Sequence, residues 1–212
     1  MARSNKNFEV KKQEIIEAAL HLFIKNGYEN TTTNDIIEMS DISRGAMYHY
    51  FNSKEDILKA VINYTIELDY GKLEMIINDE HISAIEKLNA LIAGTNNKPE
   101  SVALAVDYAK RNTNSIFDYI SRELSFKRSV PDIAKIIKQG IEEDVFHTEY
   151  PDEMAEFYYM LARSLFDISS ETNYEQQIKR IDAFIYLMEK GLGTHYGELD
   201  TIKNTCYLAF TK

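Results

Sequence analysis

Between Thr32 and Asp56 the chain carries three helix-start signals, set so close together that only very short helices fit between them. Thr32 has Asp35 three residues on, the two halves of a capping box; Ser43 opens the next helix; Ser53, again with an aspartate (Asp56) three residues on, opens a third. The spacing predicts a two-turn helix from Thr32 to about Met39 and a second short helix from Ser43 through Phe51, joined by the turn Ser40-Asp41-Ile42. Two short helices joined by a tight turn form a helix-turn-helix, whose second helix lies in position to read a DNA groove.

The flanks fit that core. Upstream, Ile16, Ala19, Leu20 and Phe23 recur at helical spacing, predicting a helix from about Val10 to Asn26 that stops at Gly27. Downstream, Leu58, Val61, Ile62, Ile66, Leu68 and Leu73 carry the helix opened by Ser53 to about Ile77. Further helices are expected at about 82–93, 100–111, 114–127, 131–143, 151–170 and 174–192, with Pro131 and Pro151 in first turns. The tail beyond 194 is weakly patterned. Only 3 prolines and 8 glycines in 212 residues agree with an all-α chain. The expected division is a helix-turn-helix domain over residues 1–52 and a helical body over 53–212, with 53 to about 77 as connector.

A helical wheel separates two faces of the second short helix. Advancing about 100° per residue from Ser43, Met47 and Phe51 fall together on the packing side, while Arg44, Gly45, Tyr48 and His49 share the opposite one. That opposite face suits a major groove: a guanidinium fork for guanine O6 and N7, a glycine where backbone approaches, and two rings with polar tips. Gly45 costs the helix roughly 1 kcal/mol relative to alanine, which an outside partner would explain. The helix N-termini at Thr32, Thr33 and Asn34 and at Ser53-Lys54 offer amides and a positive dipole end to phosphates.

The run IIEAALHLFIKNGYENTTTNDIIEMSDISRGAMYHYFNSKEDILKAVI, Ile15 to Ile62, resembles the DNA-binding domain of TetR-type bacterial transcriptional regulators. It has Ala-x-x-x-Phe followed by Gly-Tyr, Thr-Thr at the start of the second helix, Ser-x-Gly at the third, Tyr-x-Tyr-Phe, and Ser-Lys-Glu opening the fourth. Two positions differ from the family pattern: Ile37 replaces alanine, and Asp41 replaces a turn glycine, a substitution aspartate tolerates in left-handed backbone. The resemblance implies DNA contacts from Thr32, Thr33, Asn34, Ser43, Arg44, Gly45, Tyr48, His49, Tyr50 and Lys54. It also implies a homodimeric, ligand-responsive regulator, acting as a repressor on a palindromic double-stranded operator and released by a small-molecule effector.

The net charge of −10 is unevenly spread: residues 1–60 hold 8 Lys+Arg against 9 Asp+Glu, and residues 1–12 hold four bases (Arg3, Lys6, Lys11, Lys12) against Glu9 alone. A near-neutral head with a basic arm on an acidic body is compatible with a polyanion site. A single cysteine excludes a disulfide framework; no apolar run reaches membrane-helix length, and a cytoplasmic address without membrane association is expected. His21, His49, His81, His147 and His195 show no metal-ligand spacing, and no phosphate loop or nucleophile elbow occurs, so no cofactor and no enzymatic activity are expected. An architectural or accessory DNA-binding protein with no small-molecule inducer is the alternative.

In the body, the family's apolar pocket is expected on the inward faces of the helices at 100–127 and 151–170, lined by Tyr108, Phe117, Phe157, Met160 and Leu161. The broad apolar faces of the last two strong helices, with Tyr158, Ala162, Leu165, Ile181, Ile185 and Met188, are expected to pair with a second copy in a four-helix bundle.

Overall fold

The protein, a computed structural model, is described over residues 2–95, 115–166 and 173–210, and every regular element among the described residues is an α-helix. In chain order these are α1 (Ala2–Asn26), α2 (Thr33–Met39), α3 (Arg44–Tyr50), α4 (Lys54–Asn78), α5 (Ala84–Thr95), α6 (Ser115–Glu142), α7 (Pro151–Phe166), α8 (Tyr174–Leu192) and α9 (Asp200–Phe210). No helix among the described residues is long and apolar enough to cross a membrane. The chain divides into two compact units. One holds residues 2–68 with 115–124; the other holds 69–95, 125–166 and 173–210. The division falls inside α4 and α6 and not at the expected 52/53, because Ile57, Leu58, Val61 and Ile62 of α4 complete the core of the first unit.

In the first unit, Ile15, Ile16, Ala19, Leu22 and Phe23 of α1 close on Ile36 of α2, Met47 of α3 and Phe51. Burying such side chains is worth roughly 1.5–3 kcal/mol each, which holds helices too short to persist alone. Gly27, at φ 86°, ends α1, and the buried Thr31 hydroxyl bonds the carbonyls of Gly27 (2.8 Å) and Leu22 (3.3 Å) there. Thr32 and Asp35 form the expected capping box on α2, and Ser43 accepts from the Ala46 amide at the start of α3. Asp41 takes the left-handed turn position at φ 50°, doing what glycine would do there. Against expectation, α1 begins eight residues earlier than Val10, at Ala2.

The second unit has its own core, formed by Tyr70, Leu88, Ile92, Ile136, Ile137, Phe146, Tyr158, Ile181, Ile185 and Met188 with their neighbours. Residues 115–142 form one helix where two were expected, with Pro131 inside it. An internal proline costs about 3 kcal/mol through its lost amide and its ring clash. The packing of Val130, Ile133, Ala134, Ile136 and Ile137 around it opposes a break. Gly140 makes room for Phe146, since a Cβ there would lie 2.1 Å from the ring. Gly193 ends α8 in left-handed backbone at φ 69°.

The weakly patterned tail is α9, packed on α5 and α8. Lys203 Nζ lies 2.9 Å from Asp182 of α8, and the Tyr207 hydroxyl donates to the same carboxylate. Burial pushes the Asp182 carboxyl up, but the hydrogen bonds from Lys203 and Tyr207 outweigh it and leave it below its ordinary value. A lowered carboxylate contributes stability that is present above the ordinary range and lost as pH falls through the folded value. Amides of α9 are therefore expected to lose protection, exchanging faster relative to the intrinsic rate at that pH, below about pH 4. Asp182→Asn should show that faster exchange already at neutral pH; equal protection in the variant would remove the latch from the account. Beside it sits Cys206, fully buried, its thiol pushed up to about 12 by burial.

The six residues expected at a dimer interface are not on the surface. Tyr158, Ala162, Leu165, Ile181, Ile185 and Met188 are buried in the core of their own unit, and the Tyr158 hydroxyl donates to the Leu88 carbonyl at 2.8 Å. Conversely, Phe157 and Met160, expected in an internal pocket, are 50% and 47% exposed on the outer side of α7. Tyr158 sits one step of about 100° from Phe157, so the helix that buries one displays the other. Leu161 is half-buried against the core. Tyr108 and the side chain of Phe117 lie outside the described residues.

Candidate nucleic-acid interface

The first unit presents α3 with its two faces sorted as the wheel requires. Met47 is 1% exposed and anchors the helix, while Arg44, Gly45, Tyr48 and His49 are all exposed on the other side. Tyr48 is 52% exposed, so its ring and hydroxyl are available to a partner on this face. A Cβ on Gly45 would meet nothing within 4 Å, so nothing inside the protein requires glycine there. The missing side chain keeps the backbone of α3 approachable from outside.

Neighbouring elements extend this face. Arg44 Nη2 donates to Asn34 Oδ1 at 2.6 Å, which links the start of α3 to the first turn of α2 and orients the guanidinium at the surface. Thr32 is exposed at the cap of α2, followed by the half-buried Thr33. Ser43 is exposed at the start of α3, and Tyr50 is half-buried on its flank. The face thus gathers three hydroxyls, an amide, a guanidinium, two phenols and an imidazole around exposed backbone, with no exposed acid on α3 itself. Such donors suit phosphate oxygens and the acceptor edges of purines.

Lys54 behaves differently from its neighbours. Its ammonium donates to the carbonyls of Tyr28 (2.8 Å), Thr31 (3.1 Å) and Glu29 (3.4 Å), and sits 4.2 Å from the Tyr28 ring centroid. An ammonium has three protons, and the loop ahead of α2 accepts them all. The side chain expected to meet a phosphate is thus a clamp that fixes where α2 begins. Lys54→Met is expected to lower the stability of the free protein by about 1 kcal/mol, at the low end for charged hydrogen bonds because the site is partly open to water. The slope of log affinity against log salt should stay unchanged. A slope reduced by about one per copy, with the melting temperature intact, would make Lys54 a phosphate contact after all.

Sequence reasoning missed one member of this surface, because the expected first helix began after it. The Phe8 ring of α1 lies 4.6 Å from Tyr50 and 5.7 Å from His49, centroid to centroid.

Residues 15–61 match the model described as bacterial regulatory proteins, tetR family. Over this segment the chain is similar to the DNA-binding domain of the TetR family. Among characterised relatives it is 25% identical over 158 residues to the transcriptional repressor KstR2 of Mycolicibacterium smegmatis, which covers 72% of this chain and 74% of that protein. It is 42% identical over 52 residues to the transcriptional regulator QacR of Staphylococcus aureus, covering 24% of this chain and 28% of that protein, a match about the size of the DNA-binding domain alone. Two solved structures share the fold. Salmonella enterica GusR aligns with TM-score 0.60 at 16% identity, over 86% of this chain and 95% of that one. RolR in complex with resorcinol aligns with TM-score 0.59 at 16% identity, over 95% of each. TetR-family proteins are transcriptional regulators and not enzymes, and the exposed face of α3 lies within the matched DNA-binding domain.

Proposed function

We propose that this protein is a homodimeric TetR-type repressor that holds a palindromic operator through α3 and lets go when a small molecule occupies its second unit. The observation that carries the DNA half is the exposed Arg44-Gly45-Tyr48-His49 face, with Met47 buried behind it. Arg44 takes a guanine edge, Gly45 admits close approach, and Thr32, Thr33 and Ser43 meet phosphates on either side.

One reader of seven residues touches few bases, so a second copy is needed for useful affinity. Support for pairing comes from the outer side of α7 and α8, where Phe157, Met160, Tyr186 and Leu187 are all exposed. Large apolar side chains gathered on two adjacent helices favour cover by another protein surface over water. The second copy therefore docks there, and not on the buried residues of the same helices.

The effector half draws support from two polar atoms of the second unit. Asn89 Oδ1 is buried without a hydrogen-bond partner, and the buried Tyr70 hydroxyl stands near Ser129 and Asp132 without hydrogen-bond geometry to either. Orphaned buried groups cost about 1–3 kcal/mol each, which a ligand with matching donors and acceptors would recover. RolR, solved with resorcinol, offers a precedent for a small phenolic occupant. α4 contributes residues to both units and serves as the lever, provided the effector binds the two states unequally.

Footprinting on DNA flanking the protein's own gene tests the reading. A single protected palindrome is expected. Broad, sequence-blind protection would replace the repressor with an architectural role, and no protection at low salt would end both.

A further inference from the structure

The family-matched segment starts at residue 15, yet the reader helix is touched by a residue ahead of it. Phe8 meets Tyr50 at 4.6 Å with planes 38° apart and His49 at 5.7 Å with planes perpendicular, and His49 meets Tyr50 at 5.8 Å. Consecutive side chains on a helix diverge by about 100°, so His49 and Tyr50 touch only edge to face, and that contact is the one ring neighbour α3 itself gives the imidazole. A third ring from α1, set against both, is what ties them. His49 is exposed on the reading face, where an unbraced imidazole would swing among rotamers.

We propose that Phe8 is a positioning residue for DNA recognition: by holding the His49 imidazole against Tyr50, it makes the first turns of α1 part of what sets sequence preference. This rests on the DNA-binding reading of α3. A ring fixed before binding loses less freedom on the DNA and favours the bases that suit its fixed direction. Edge-to-face and tilted ring pairs are each worth a few-fold in an equilibrium constant, so losing both should cost about tenfold. That penalty should fall on the preferred sequence and spare sequence-blind contact, which depends on phosphates.

Two measurements decide it. In the free protein, nuclear magnetic relaxation of the His49 ring should show one rotamer in the wild type, averaging in Phe8→Ala, and one rotamer again in Phe8→Tyr. On DNA, the probes are the duplex that the wild type enriches from a randomised double-stranded pool and a scrambled duplex, at fixed salt. Phe8→Ala should lose about tenfold on the enriched duplex and nothing on the scrambled one, Phe8→Tyr should recover it, and Phe8→Ala should add no loss to His49→Ala. Equal losses on both duplexes, or losses that multiply with His49→Ala, would reduce Phe8 to a packing residue and overturn the proposal. Unchanged ring motion in Phe8→Ala would overturn the brace alone. A wild type that enriches no sequence would overturn the DNA reading beneath it.

Discussion

Arg44→Ala is expected to lower affinity for the operator by about 100-fold at fixed salt, with the melting temperature of the free protein unchanged. A bidentate arginine–guanine contact discriminates by about 1–3 kcal/mol, and a dimer loses two of them, each 1.4 kcal/mol being tenfold. The fold should not notice, because Arg44 is exposed and its one described partner, Asn34, is exposed too. Asn34→Ala is the control. If it weakens binding as much as Arg44→Ala and both lower the melting temperature, the pair joins α2 to α3, and the guanidinium is not reading bases. Gel-shift titrations beside thermal melts supply both readouts.

The second large effect concerns pairing. Phe157→Asp combined with Leu187→Asp should give a folded monomer by light scattering and lower operator affinity by several orders of magnitude, since each reader then binds singly. Both side chains are half exposed, so charges there stay hydrated in the monomer and are penalised only under a second copy. Ile181→Asp should behave in the opposite way. Ile181 is 0% exposed, and an uncompensated carboxylate in that core should unfold the second unit before any question of assembly arises. A double variant that stays dimeric would move the interface elsewhere.

The head was legible because its signals are local. Thr32 with Asp35 and Ser43 act through capping side chains, Gly27 through having none, and Asp41 by taking left-handed backbone, and all four act within a few residues of where they stand in the sequence. The body was legible only as helices. On α7 the set Phe157, Met160 and Leu161 and the set Tyr158, Ala162 and Leu165 are both apolar and both helically spaced, so periodicity finds two stripes and cannot say which meets the core. The structure buries Tyr158, Ala162 and Leu165 and exposes Phe157 and Met160, with Leu161 half-buried between them. Pro131 misled for a related reason: a proline marks a local weakness, and the side chains packed around it come from elsewhere in the sequence. Lys54 looked free because the carbonyls that hold it come from residues 28, 29 and 31, and backbone acceptors leave no trace in composition. Phe8 was passed over because the polar residues around it hide the first turns of α1.

The buried state of Cys206 has a practical side. The sequence holds one cysteine, and its thiol is fully covered and pushed up to about 12, so the folded protein presents almost no thiolate to maleimides or other alkylating probes at neutral pH. The natural chain is therefore a ready background for site-directed labelling. One new cysteine at an exposed position of α3 would be the sole reactive handle per copy, and spin or fluorophore distances between two such handles would report reader separation with and without effector.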